Sequence, residues 1–268
     1  MELVNRLLIF DLKGPLGHFR KFYTNASSLT YAFPPRTVVT GLIAGLLGRE
    51  LDAYYEEFGT DRCKVGISIQ SAVKKIMQTV NYIRTKDNDG FGSFQGALKT
   101  FISRRLVSYP TLIEMVMPTE NHKKITYRVY FSHSDDALME ELHARVKQGR
   151  FVYPPYLGLS ELLAGVEFVA FIGKEHLRQI SPKNLVELSS VCNLKIIEDL
   201  EFQEKYPSLQ YVEEKMPLEF GKGREIRRHG NFLHEQKGRP VCAVLKTACL
   251  EIDYEGPDSI AECITFLE

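Results

Sequence analysis

His122, Lys123 and Lys124 stand side by side in NHKKITYRVYF. A histidine beside two ammonium groups has what RNA strand scission without a metal requires. The ring takes the 2′-hydroxyl proton, and the cations meet the charge that develops on phosphorus. The same trio also suits a plain basic turn. A second group, His18, Phe19, Arg20 and Lys21, places an aromatic ring among cations, a mixture that stacks bases and meets phosphates. A solvated loop is the alternative. Tyr31, Arg36 and Thr37 stand where PPRTVV opens a helix. A helix start presents unsatisfied N–H donors and partial positive charge, and Arg36 adds a fork for phosphate oxygens.

Two further basic stretches lie downstream. Lys86, Lys99, Arg104 and Arg105 share a segment with Phe91, Phe94 and Phe101. GKGREIRRHG holds Arg224, Arg227 and Arg228, which read equally as a nucleic-acid contact or a solvated loop. It lacks the lysine-serine/threonine pairing of a phosphate-cradling loop. Asp87 and Asp89 lack the glutamate and spacing of a calcium loop, so no metal is expected. No cofactor motif appears, and no serine elbow or paired-carboxylate pattern is present.

The elements that must carry these residues follow from pattern. LVNRLLIFDL reads as a buried first strand ending at Gly14-Pro15. Pro34 and Pro35 forbid helix before them and favour it after. Leu42, Ile43, Leu46 and Leu47 then keep helical spacing up to Gly48, and LDAYYEEFG reads as a second helical piece. Gly41, Gly45 and Gly48 share a face that admits a close neighbour, with the domain's own sheet the expected one. Two extended runs fill residues 63–84. SDDALMEELHARVKQG is a helix capped by Ser134 and closed by Gly149, and VEFVAFIG is a further strand.

The order strand, helix, strand, strand, helix, strand predicts an α+β fold with a ferredoxin-like, RRM-like βαββαβ domain over residues 1–178. A long insertion, about 85–105, interrupts it. Residues 179–268 read as a smaller β-rich part, apart from a short helix expected in SPKNLVEL.

Composition limits the function classes. Lysine plus arginine total 34 and aspartate plus glutamate 34, for a formal net charge of +0. A free-standing, non-specific nucleic-acid binder is usually basic overall, so contact with nucleic acid would be local and shared with partners. Five scattered cysteines without a C-x-x-C pair point to reduced thiols in the cytoplasm rather than a disulfide frame or zinc module. No apolar run reaches the roughly 18 residues of a membrane span.

FDLKGPLGHFRKFYTNASSLTYAFPPRTVVTGLIAGLLGRE resembles the N-terminal signature of the CRISPR-associated Cas five family, in the RAMP superfamily. Four pieces match in order: the Gly-Pro-Leu-Gly-His-Phe-Arg loop, Leu-Thr-Tyr, Pro-Pro-Arg-Thr and the glycine helix. YPPYLGLSELLA, EKMPLEF and the terminal ITFLE look like weaker landmarks, and the pattern is most like the type I-B branch. The resemblance implies an RRM-like domain with a β-hairpin thumb at the insertion. It also implies a subunit of a type I Cascade complex that grips the 5′ handle of CRISPR RNA, caps the filament of backbone subunits and contacts the large subunit. Target DNA would be met through the complex. One branch of the family instead cuts precursor RNA, which keeps the ribonuclease reading of His122, Lys123 and Lys124 open.

Overall fold

The computed structural model describes residues 4–24, 28–83, 108–119, 122–201, 209–254 and 261–268. The chain is a mixed α+β protein. β1 (Arg6–Gly14) leads through a long loop to α1 (Arg36–Leu47) and β2 (Cys63–Ile69). β3 (Val73–Ile83) and β4 (Ser108–Pro118) follow, then β5 (Ile125–His133), α2 (Asp136–Gln148) and β6 (Gly165–Gly173). β2, β5, β1 and β6 form one sheet in that order, with antiparallel neighbours throughout.

The apolar run of β1 is explained by burial on both faces. Leu8, Phe10 and Leu12 enter the core beneath α1 and α2 with Val65, Ile67, Val129 and Phe131. Their alternates Leu7 and Ile9 face a second core with Tyr130, Ile252, Ile264 and Phe266. Successive strand side chains point to opposite faces, so a strand covered on both sides reads as a continuous hydrophobic run.

β3 and β4 stand apart as a two-stranded antiparallel hairpin, running from Val73 opposite Pro118 out to the 84–107 segment. Two strands alone are marginal in water. This pair is anchored by Val73, Ile113, Met115 and Val116, which are buried, while Met77 and Leu112 are exposed.

Among the described residues, the regular structure of the C-terminal region is strand and single-turn 3₁₀ pieces. β7 (Leu177–Ile180), β8 (Leu185–Leu188), β10 (Ile197–Leu200), β13 (Val241–Leu245), β14 (Cys249–Ile252) and β15 (Glu262–Ile264) build a six-stranded sheet. β9 (Cys192–Asn193), β11 (Tyr211–Phe220) and β12 (Ile226–Glu235) form another. Met216, Leu218, Phe232 and Leu267 belong to the same core as α1 and α2, so this region shares its interior with the N-terminal sheet.

Several local expectations are corrected. α1 starts right after Pro34-Pro35, but Gly48 ends it in the left-handed conformation (φ 76°), and residues 51–58 are turns rather than a second helix. The cap of α2 is Asp135, not Ser134: its carboxylate accepts from the N–H groups of Ala137 and Leu138 at 2.9 and 3.2 Å. The segment expected to be helical in SPKNLVEL is β8, because Val186 and Leu188 alternate inward and Leu185 and Glu187 outward. The glycine face of α1 is met by loops, not by the sheet. A Cβ on Gly41 would lie 2.8 Å from the Tyr54 hydroxyl, and the N–H of Tyr153 donates to the Gly45 carbonyl at 3.3 Å.

Candidate nucleic-acid interface

The loop between β1 and α1 is pinned from both sides, which decides what each of its residues can do. Gly17 exchanges backbone hydrogen bonds with Val116 of β4 at 2.9 and 2.8 Å, and Glu114 donates from its N–H to Ser28. From below, His18 donates its N–H to Leu157. Gly158 comes so close that a Cβ there would sit 1.7 Å from the His18 carbonyl oxygen, at φ 91°. The GPLGHFR and YPPYLGLSELLA segments, far apart in sequence, are therefore packed on each other.

His18 and Phe19 point inward. The His18 ring donates from Nδ1 to the Glu114 carbonyl at 2.7 Å, and its Nε2 meets the Ser28 hydroxyl at 3.2 Å. Burial holds its pKa below the ordinary histidine value. Phe19 is 1% exposed and packs edge-to-face on Tyr127. In this arrangement both side chains hold the loop, His18 through Glu114 and Ser28 and Phe19 against Tyr127.

The next residues form the exposed tongue. Arg20 is exposed, and among the described residues its guanidinium donates to the Thr24 carbonyl at 3.4 Å. Phe22 and Tyr23 are exposed too, their rings edge-to-face with centroids 5.2 Å apart. Lys21 lies between. Its Nζ donates to Glu214 at 2.6 Å and sits 5.4 Å from the Tyr31 ring centroid. Burial pulls the Lys21 pKa down, but the hydrogen bond and charge of Glu214 outweigh it and leave it raised.

Tyr31, Arg36 and Thr37 are all buried. Tyr31 donates its hydroxyl to the Lys215 carbonyl at 2.6 Å. The Arg36 fork is filled from within: Nη1 donates to Leu218 O at 3.0 Å, and Nη2 to the carbonyls of Phe58, Gly59 and Cys63 at 2.9, 3.0 and 3.0 Å. A guanidinium in the interior needs acceptors, and the turn after α1 and strand β11 supply them. Arg36 is thus a bolt between three segments, and a phosphate at the helix start would find it occupied.

The basic stretch at 221–230 is half turn and half strand, since β12 begins at Ile226. Its three arginines lie along the 52–60 loop. Arg224 pairs with Asp52 at 3.0 Å, Arg227 with Glu56 at 2.7 Å, and Arg228 donates to the Thr60 hydroxyl at 3.0 Å. Asp52 and Arg224 both have positive φ, 62° and 63°. Hydrogen bonds from Tyr55 and then Arg224 hold the Asp52 carboxyl below the usual range.

His122, Lys123 and Lys124 are exposed on the turn before β5. Lys86, Lys99, Arg104 and Arg105, with Asp87 and Asp89 and the expected thumb tip, lie outside the described residues. Among the described residues, no group of histidine, cysteine and carboxylate side chains could hold a metal, and no helix is long and apolar enough to cross a membrane.

The family profile described as CRISPR-associated protein (Cas_Cas5) matches residues 7–231. The chain belongs to the Cas5 family. The match runs from β1 through most of β12 and so contains the tongue, the hairpin and β11. No curated protein sequence matches the chain. Among solved structures, a chain of a CRISPR RNA-guided surveillance complex is 13% identical, covering 90% of this chain and 91% of its own, at a TM-score of 0.45. A Cas protein crystal structure is 14% identical, covering 87% and 95%, at 0.41. A chain of a Type III-B Cmr-beta complex bound to cognate target RNA and AMPPnP is 9% identical, covering 89% and 86%, at 0.42. With each of these TM-scores below 0.5, the family profile alone carries the assignment to Cas5.

Sequence reasoning missed four members of this candidate site: Phe22 and Tyr23 of the tongue, directly after the residues it named, and Lys75 of β3 and Glu214 of β11. Lys75 of β3 and Glu214 of β11 join at 2.9 Å, so Glu214 binds Lys21 and Lys75 at once while only 3% exposed. Glu214 lies in EKMPLEF, a segment already singled out, but nothing local marks it as the partner of lysines 139 and 193 positions away.

Proposed function

We propose that the chain is a CRISPR RNA-binding subunit of a type I Cascade-like interference complex in antiviral defence. In this reading it grips the 5′ handle and caps the backbone filament in the cytoplasm. The family assignment supports the CRISPR role. The observation that carries RNA contact is the tongue: Arg20, Phe22 and Tyr23 project as cation and rings from a loop pinned to the hairpin base. Single-stranded RNA is held by such pairings, with bases on rings and phosphates on cations. The strand order β2-β5-β1-β6 with two helices on one face supports reading the N-terminal sheet as a ferredoxin-like, RRM-like unit. The β3–β4 hairpin is then the stem of a thumb. Backbone and large subunits are the expected protein partners, target DNA is reached through them, and the N-terminal signature favours the type I-B branch.

The test is direct. Purified protein and repeat RNA are incubated in EDTA, with binding followed by fluorescence anisotropy and integrity by gel. Salt-sensitive binding without cleavage is expected. Site-specific cleavage abolished by His122→Ala would replace this reading with that of a metal-independent endoribonuclease, and absence of binding, alone and in the assembled complex, would refute the RNA role.

A further inference from the structure

At the root of the tongue, one buried carboxylate joins three separate elements. Glu214 projects from β11, accepting from Lys21 of the loop at 2.6 Å and from Lys75 of the hairpin at 2.9 Å. The carboxylate is 3% exposed and the Lys21 and Lys75 side chains 14% and 30%, so the anion lies innermost, Lys21 is largely covered and Lys75 is the more accessible cation. The trio carries a net charge of +1. An ammonium has three donors, and Glu214 takes one from each lysine. The rings of Tyr31 and Tyr23 flank Lys21 at 5.4 and 5.8 Å.

From this geometry we infer that Lys21 and Lys75 form a phosphate-binding site for single-stranded RNA, and that Glu214 is its positioning residue. The inference rests on the RNA-binding reading above and adds a site to it. Free surface lysines lose rotamer entropy when they close on a phosphate. Here the ordering is already done, because breaking a buried ion pair is strongly unfavourable. An RNA phosphate on the outer side would complete an alternation of charge: carboxylate within, two ammonium groups, phosphate without. Arg20 and Phe22 adjoin Lys21 in the chain, which puts the site next to the tongue.

Four proteins test this: wild type, Lys75→Ala, Glu214→Gln and the double variant. Each is titrated with single-stranded repeat RNA at several salt concentrations, and folding is checked by thermal melting. In the wild-type background, Lys75→Ala is expected to weaken binding about 3- to 10-fold and to lower the slope of log K against log salt by about 0.7, the share of one phosphate contact on a single strand. In the Glu214→Gln background the same substitution is expected to cost less than about twofold, because Lys75 is no longer held in place. A purely structural Glu214 would leave the cost of Lys75→Ala equal in both backgrounds, and that result overturns the positioning role. Should Glu214→Gln fail to fold, Glu214→Asp keeps the charge but is one methylene short of reaching both lysines, and the same comparison is made with it. Wild-type binding with no change of affinity or slope in Lys75→Ala refutes this site and leaves the RNA role standing. No binding by any of the four proteins refutes both.

Discussion

Replacing Arg36 separates a phosphate ligand from a structural bolt. The guanidinium makes one bond from Nη1 to Leu218 O and shares Nη2 among three carbonyls, all within 3.0 Å. Nη2 has two N–H groups, so about three full hydrogen bonds are at stake. A bond to a charged group is worth about 1.5–3 kcal/mol when one partner is deleted. The carbonyls left behind are buried, but the desolvation cost of the cation is recovered. The balance for Arg36→Met is a loss of about 3–5 kcal/mol. For a domain of this size that lowers Tm by about 10 °C. Arg36→Lys should recover little, since one ammonium cannot span carbonyls on both β11 and the 58–63 turn. The assay is urea denaturation followed by circular dichroism, with Arg20→Ala as the exposed control, expected within about 0.5 kcal/mol of wild type. If Arg36→Met retains wild-type stability while losing RNA affinity, the bolt argument is wrong and the phosphate role first read from PPRT is restored.

Three further outcomes follow. Tyr23→Ala should weaken RNA binding by about 1–3 kcal/mol through lost stacking while leaving the melting curve in place; equal RNA affinity would remove the ring from the interface. Gly158→Ala should cost more than about 3 kcal/mol, because φ is 91° and the new Cβ would collide with the His18 carbonyl; a normally stable variant in thermal melts would contradict the packing of the two loops. His234 is buried against Phe33, with Nδ1 donating to Val212 O at 3.1 Å, and burial pushes its pKa down to about 4. Its folded value lies below the ordinary 6.5, so the unfolded chain binds the extra proton first as pH falls. The stability is complete above about pH 6.5 and lost on the way down to pH 4, about 2 kcal/mol of it by pH 5. Denaturation at pH 7.5 and 5 should show that loss in the wild type and a smaller one in His234→Gln; equal losses would exclude His234 as the source.

Much of the frame could be read directly from residue order. Pro34-Pro35 and Gly48 bound α1 because proline pre-sets φ at a helix start and glycine accepts the left-handed turn that ends one. The unbroken LLIF run announced a strand with no solvent face, and both of its faces are indeed covered. These are local constraints, set within a few bonds of the residue concerned, and they survive any packing.

Tertiary structure alone decided which charges are free. Arg20 and Arg36 are the same residue type in adjoining motifs, yet one faces solvent and the other fills a nest of carbonyls from β11 and the 58–63 turn. Arg224 and Arg227 read equally as a nucleic-acid contact or a solvated loop, and in the fold they pair with Asp52 and Glu56 of the 52–60 loop. Nothing local marks Lys75 and Glu214 as partners, although Glu214 opens EKMPLEF, because an ion pair between residues 139 positions apart leaves no periodicity to read. The availability of a charge depends on which chain segment happens to lie beside it. Sequence order determines the segments that exist, and only their packing decides which carboxylate or carbonyl reaches each cation before a phosphate does.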